Sequence, residues 1–210
     1  MDLFKIALTV PPLLIAVVVH ELAHAYVAYK LGDDTAKKLG RITLNPIKHV
    51  DPFLTILVPG ILIISGSPII FGGAKAVPVN INKFKKPKRD FALVALAGPV
   101  SNILLAAISI ISIKLIEFYK LAELMPLIVG PLVLCLYSSI LINIVLTLFN
   151  LIPVPPLDGG RIVAGLLPDK ISCKYEKLEP IGIFVALGLV LSGVFQKLFA
   201  SILNYTSKLL

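Results

Sequence analysis

The sequence predicts an all-α polytopic integral membrane protein, a bundle of about four to six transmembrane helices with a re-entrant segment and a short extended loop. Its 210 residues are 57% hydrophobic and only 15% charged, whereas soluble domains are about 45–50% apolar and about 25% charged. Several apolar runs approach the roughly 18–20 residues that cross a bilayer. The net charge of +8 comes from basic clusters in the loops between these runs, which set membrane orientation. Binding to nucleic acid is therefore not indicated.

The apolar runs predict the membrane segments of a single domain that covers residues 1–210. These segments are residues 3–31, 53–71, 91–117, 127–152 and 181–203. The first helix is expected to end at Leu31, since glycine follows it and commonly terminates helices. The second segment is broken by Pro and Gly and has basic loops on both sides, so it either spans the membrane or re-enters it. The breaks favour re-entry.

A short extended segment is predicted from Ala74 to Ile81, where residue types alternate with a period of two. An extended segment has an open edge that can pair with an extended peptide. We therefore hypothesise that the segment holds an unwound substrate strand. An ordinary loop at the membrane interface explains the same residues equally well.

One turn of the first helix carries the most informative motif, His20-Glu21-Leu22-Ala23-His24. Histidines four residues apart lie on one helix face and can hold a single metal ion, and Glu21 can act as a general base on a bound water. The preceding run, Ile6 to Val19, is uncharged, which places these ionisable groups inside the membrane. Such groups cost roughly 2.5–3.5 kcal/mol each there and are usually retained for function. A lone buried histidine is more often a core residue, but two of the chain's three histidines lie in this motif.

A third metal ligand is expected from Asp158. It follows a proline-rich break, and irregular backbone near membrane depth is tolerated where it lines a cavity. The alternative is that Asp158 caps the helical stretch 160–167. His49, in the polar connector 33–52, could also be a third ligand, but we expect it to be a solvated loop residue.

Polar side chains also mark two of the later helices. Asn102 lies on a face of small residues, which can serve close helix packing; its amide could equally bond an unpaired substrate backbone. The following helix carries a polar stripe made of Ser139, Asn143, Thr147 and Asn150. Such stripes face protein or water and not lipid.

Three stretches together resemble the site-2 protease family of intramembrane zinc metalloproteases: His20–His24, Gly98–Asn102 and Asn150–Gly160. The first motif alone is shared with many soluble zinc proteases. Its combination with N-x-x-P-x-P-P-L-D-G-G is highly specific. Residues 71–80 are similar to the short subgroup that lacks PDZ and CBS regulatory domains.

The resemblance implies a zinc metalloendopeptidase with one Zn²⁺ per chain. It implies that His20, His24 and Asp158 hold the zinc ion and that Glu21 is the general base. The implied reaction is hydrolysis of peptide bonds in transmembrane protein substrates within the lipid bilayer.

The resemblance further implies that Asn102 and Asn150 contact substrate or position the site, and that the active site faces the cytoplasm. The basic loops predict the same side, and a multi-pass protein of the plasma membrane is expected. The alternative is a non-proteolytic metal-binding or transport protein that has kept the site. The presence of Glu21 separates the two, because a purely structural zinc site has no use for a base.

Overall fold

The structure is a computed structural model that describes residues 3–57, 61 and 73–191 and assigns no strand within them. Its α-helices are α1 (Leu3–Lys30), α2 (Thr35–Lys38), α3 (Pro87–Phe118), α4 (Leu121–Leu124), α5 (Pro126–Asn150), α6 (Asp158–Leu166), α7 (Asp169–Glu176) and α8 (Glu179–Leu191). Shorter helical turns lie at Pro46–His49, Pro52–Leu57 and Ile81–Lys83.

Among the described residues, three helices are long and apolar enough to cross a membrane: α1 from Ala7 to Lys30, the whole of α3, and the whole of α5. Their bounds lie within a few residues of the predicted segments 3–31, 91–117 and 127–152. The prediction of a helical, multi-pass membrane protein is confirmed.

The two other predicted segments are described only in part. Residues 53–71 begin within the turn Pro52–Leu57, and residues 181–203 begin within α8. Residues 58–60, 62–72 and 192–203 lie outside the described residues, so spanning or re-entry of the second segment stays a prediction.

Helix α3 is the centre of the bundle and packs against α1, α5 and α6. Its buried face consists mainly of small or short residues, including Ala95, Gly98, Asn102, Ala106 and Ser109. Small side chains allow membrane helices to approach closely. The apolar residues on the other faces of α3 are exposed, as expected for contact with lipid.

The end of α1 is a glycine stop. Gly32 has a φ of +111°, a conformation that glycine adopts without strain. The backbone N–H of Asp33 donates to the carbonyl of Ala28 at 2.9 Å, which satisfies a carbonyl of the last helical turn. Helix α1 therefore ends at Lys30, one residue before the predicted end at Leu31.

Residues 73–80 form an irregular segment without helical structure. Their backbone groups are bound by side chains from α1 and the connector: Val77 N–H donates to Glu21 at 3.0 Å, and Asn80 N–H donates to Asp33 at 2.6 Å. Among the described residues, no β-strand lies beside the segment and pairs with it. Edge pairing with a substrate peptide stays a prediction.

A charge cluster fixes the far end of this segment. Lys83 Nζ lies 2.6 Å from Asp34 and 3.4 Å from the fully buried Asp33. Burial alone raises the pKa of Asp33, but hydrogen bonds from Thr35, Asn80 N–H and Lys83 outweigh burial and hold that pKa below its ordinary value. Hydrogen bonds from Lys38 and Lys83 lower the pKa of Asp34 to about 2.

These pKa values predict a contribution to stability that acid removes. A carboxyl group whose pKa is lowered by folding stabilises the folded state above its unfolded pKa of about 3.9, and this contribution is lost as the pH falls through the folded pKa. We expect Asp33→Asn to melt roughly 2–4 °C below the wild type at pH 6. The difference should shrink as the pH falls below about 3.9 and should vanish once Asp33 is protonated in the folded state. Asp169→Asn, at a side chain that is 92% exposed, is the control. A difference that does not shrink as the pH falls below about 3.9 would contradict this assignment.

Candidate metal centre

His20 and His24 lie one turn apart on the face of α1 that meets α3. Both side chains are buried, and their Nε2 atoms are 3.0 Å apart. Because a helix has 3.6 residues per turn, the i, i+4 spacing is enough to bring both rings to one point. The predicted pairing of the two imidazoles is therefore present.

Asp158 joins this pair from late in the chain. It is the first residue of α6, directly after the proline-rich break, and its Oδ2 lies 3.3 Å from Nε2 of each histidine. One ligand atom from each residue lies within 4.8 Å of the other two. The N-cap position of α6 is held by Leu157, and Asp158 lies one residue inside the helix. The structure thus disagrees with the alternative use of Asp158 as a helix cap.

The outer ring nitrogens determine which atoms can bind a metal. His20 Nδ1 lies 2.6 Å from Asn102 Oδ1, and His24 Nδ1 lies 2.7 Å from the carbonyl oxygen of Val94. Carbonyl oxygens only accept hydrogen bonds, so each Nδ1 carries the proton and donates it. Each Nε2 then presents a lone pair toward the other and toward Asp158, the arrangement found in metal-binding histidines.

The donor set fits a zinc ion. Two Nε2 lone pairs and a carboxylate oxygen converge in a buried place, and Asp158 Oδ2 has no hydrogen-bond donor among the described residues. A buried charged oxygen without a partner is costly, and a cation satisfies all three atoms together. Two imidazoles and a carboxylate are ligands that Zn²⁺ accepts in catalytic sites, with one position left open.

Two glycines make room for this arrangement. A β-carbon on Gly98 of α3 would collide with both imidazole rings, and one on Gly159 would collide with the carbonyls of Leu151 and Ile152. Gly98 therefore allows the backbone of α3 to lie directly against the histidines. Gly159 allows the start of α6 to pack closely against the preceding loop.

Asn102 is fully buried, and both polar atoms of its side-chain amide form hydrogen bonds. Besides accepting from His20, it donates through Nδ2 to the carbonyl of Ala16 at 3.2 Å and to Asn143 Oδ1 at 2.7 Å. Asn143 donates in turn to the carbonyl of Ser139 at 2.8 Å. The polar stripe of α5 was the signal for Asn143, but its link to a ligand histidine was not predictable without the register of α3 against α5.

Asn150 is half-buried and donates to the carbonyl of Leu146 at 2.9 Å. In the described part of the chain its side chain forms no hydrogen bond with His20, His24 or Asp158. Its predicted role in substrate contact stays a prediction.

The side chain of Glu21 bonds to the segment 73–80, whereas the neighbouring His20 and His24 bond to α3. Its Oε2 accepts a hydrogen bond from the backbone N–H of Val77 at 3.0 Å. The side chain is half-buried, so the carboxylate is fixed by the segment 73–80 without being sealed from water.

The expectation that His49 is a solvated loop residue is wrong. His49 is only 2% exposed, and its Nε2 lies 2.9 Å from the carbonyl oxygen of Thr43. The backbone around His49 is held by two sets of bonds: Arg41 binds the carbonyls of Lys48 and Lys75, and the N–H of Lys75 donates to the carbonyl of His49 at 2.9 Å. His49 is not part of the cluster formed by the described His and Asp side chains.

The chain matches the model of a known protein family and is similar to a named relative. The family model described as Peptidase family M50 matches residues 9–126 and 116–193. YwhC of Bacillus subtilis, which carries the name of a zinc metalloprotease, is 46% identical over 194 residues, 91% of this chain and 84% of YwhC.

More distant relatives carry similar names. Zinc metalloprotease MJ0392 of Methanocaldococcus jannaschii is 30% identical over 187 residues, which are 88% of this chain and 42% of that protein. Rip2 of Mycolicibacterium smegmatis, also named for zinc metalloprotease activity, is 29% identical over 161 residues, 74% of this chain and 56% of Rip2. No solved structure matches the chain significantly.

Proposed function

Because this chain belongs to peptidase family M50 and is a zinc metalloprotease, we propose that it hydrolyses peptide bonds within the membrane-spanning segments of other proteins. One observation carries the proposal: His20, His24 and Asp158 converge inside a bundle of helices that are long enough to cross a membrane. A protease whose metal ligands are embedded in this way has its natural substrates in the same bilayer.

We assign the zinc ion to His20, His24 and Asp158. Zinc bound there supplies a Lewis acid that acidifies a water molecule and polarises the scissile carbonyl. The hydrogen bonds from the two Nδ1 atoms fix the orientation of the rings and raise the basicity of their Nε2 atoms.

Glu21 is the general base in this proposal. Its carboxylate accepts the proton of the attacking water and returns it to the amine that leaves the cleaved bond. The N–H of Val77 occupies one of its oxygens, and the other is available for that proton.

The two asparagines receive different roles. Asn102 is fully buried and bonded to His20, which supports a role in positioning that ligand. Asn150 is half-buried at the end of α5, and we retain it as a group that contacts substrate.

The active site is proposed to face the cytoplasm from the plasma membrane. His24 lies six residues before Lys30, the end of α1, which corresponds to about 9 Å along the helix axis. The connectors at this end are rich in lysine and arginine, whereas the loop between α3 and α5 has balanced charge. Basic loops favour the cytoplasmic side. Water can reach the site from there, and a substrate helix must unwind locally because its carbonyls are otherwise hydrogen-bonded.

The proposal is tested by removing and restoring the metal. The purified protein, reconstituted in liposomes with single-span membrane proteins, is expected to cleave a substrate, to lose this activity after zinc is removed by a chelator, and to regain it when Zn²⁺ is added. Mass spectrometry of the products should place the cut within the apolar segment. Cuts confined to the soluble flanks would contradict intramembrane cleavage. A zinc-loaded protein that cleaves none of these substrates would favour the metal-binding or transport alternative.

A further inference from the structure

A single peptide group connects a buried arginine to Glu21. The carbonyl oxygen of Ala76 accepts a hydrogen bond from Arg41 Nη2 at 3.3 Å. The N–H of the same peptide group, that of Val77, donates to Glu21 Oε2 at 3.0 Å. The carbonyl and the N–H of a peptide point in opposite directions, so the group between Ala76 and Val77 forms a bridge from Arg41 to the carboxylate.

Contacts of the residues on either side of this peptide group restrict its orientation. Arg41 also binds the carbonyls of Lys48 and, at 2.6 Å, of Lys75. The side chain of Val77 is buried against Ala25 of α1 and Ala36 of α2. The backbone of the segment therefore has little freedom to turn the Val77 N–H away from Glu21.

The surroundings of Arg41 support a role in fixing the peptide group between Ala76 and Val77. Its side chain is buried, and among the described residues it forms no ion pair with a carboxylate. A buried guanidinium is costly unless its N–H groups are bonded. Here Nη1 donates to the carbonyl of Lys48 in the connector, and Nη2 donates to the carbonyls of Lys75 and Ala76 in the segment 73–80. Nε has no partner among the described residues. A positive charge beside the carbonyl oxygen of a peptide group also polarises that group and strengthens its N–H as a hydrogen-bond donor.

We propose that Arg41 and the Val77 N–H are positioning groups for the general base. Arg41 orients the peptide between Ala76 and Val77, and the N–H of that peptide holds Oε2 of Glu21 so that Oε1 faces the water to be activated. This inference rests on the proposed role of Glu21. It assigns a task to a loop arginine and to a backbone group that lie outside the sequence motifs of the site.

The kinetic test compares Arg41→Gln and Val77→Pro with the wild type in the reconstituted cleavage assay. Each variant is expected to lower kcat by roughly ten- to a hundredfold, the range that corresponds to loss of one hydrogen bond to a charged group. KM should stay within about twofold, and zinc content should remain at one ion per chain. Arg89→Gln, at an exposed arginine of α3, is the matched control and should behave as the wild type.

A double variant tests whether Arg41 acts through this peptide. If it does, Arg41→Gln combined with Val77→Pro should lose no more activity than Val77→Pro alone, because the link is already broken. Additive losses would overturn the proposed path. An unchanged kcat in either single variant, or an effect on KM alone, would overturn the positioning role.

Amide hydrogen exchange provides a readout that does not need activity. Glu21→Ala should speed exchange of the Val77 amide by roughly ten- to a hundredfold, while the Asn80 amide, held by Asp33, keeps its wild-type rate. Equal Val77 exchange in both proteins would overturn this inference and leave the proposed function untouched. Conversely, full cleavage activity without the Glu21 carboxylate would refute its role as base, even if the exchange result holds.

Discussion

Replacing Glu21 by glutamine is expected to reduce the rate of cleavage by about 10²–10⁴-fold, the range that general acid–base catalysis contributes. Glutamine has nearly the same shape and can still accept the hydrogen bond from Val77 N–H. It cannot take a proton from water. Because Glu21 is not part of the ligand cluster, the variant should keep its zinc, measured by elemental analysis beside the single-turnover cleavage rate.

The matched control for this variant is Glu123→Gln, at an exposed carboxylate of α4. It should cleave at the wild-type rate. Equal processing of a membrane substrate by the wild type and by Glu21→Gln would show that another group moves the proton.

Replacing Asp158 by alanine is expected to lower zinc affinity by more than about 100-fold. Loss of a residue that merely supports a ligand costs 10–100-fold, and Asp158 supplies one of the three converging ligand atoms themselves. Its removal also takes away the negative charge nearest the two Nε2 atoms. The purified variant should contain little zinc after dialysis against a weak chelator, and its cleavage activity should be lost with the metal.

Asp169→Ala is the control for this loss, because Asp169 is a surface carboxylate of α7. It should retain one zinc ion per chain. Full zinc occupancy of Asp158→Ala would mean that a different residue is the third ligand.

The sequence was sufficient for the parts of the site that depend on local geometry. The helical spacing of His20 and His24 brings them together whatever the rest of the chain does. The proline-rich break before Asp158 signalled irregular backbone next to a cavity. The remaining contacts of the cluster join elements whose relative register is set only by packing. Examples are the bond from His24 to the carbonyl of Val94 and the role of Asn143.

The connector and the segment 73–80 show the same limit. Alternating residues predicted an extended course there, but alternation does not tell which groups will satisfy the backbone. Side chains of Glu21, Asp33 and Arg41 do so. The prediction for His49 was wrong for a related reason: its neighbours in sequence are polar or charged, whereas the folded connector buries its ring and places Nε2 beside the carbonyl oxygen of Thr43.

The close contact at Gly98 has a consequence for how polypeptide reaches the zinc site. Both imidazoles are bonded to α3 and lie directly against its backbone, so α1 and α3 are in direct contact beside the candidate metal site. Parting these two helices would break the hydrogen bonds that orient the ligands. We therefore expect a substrate polypeptide to approach the site from a side other than the contact between α1 and α3.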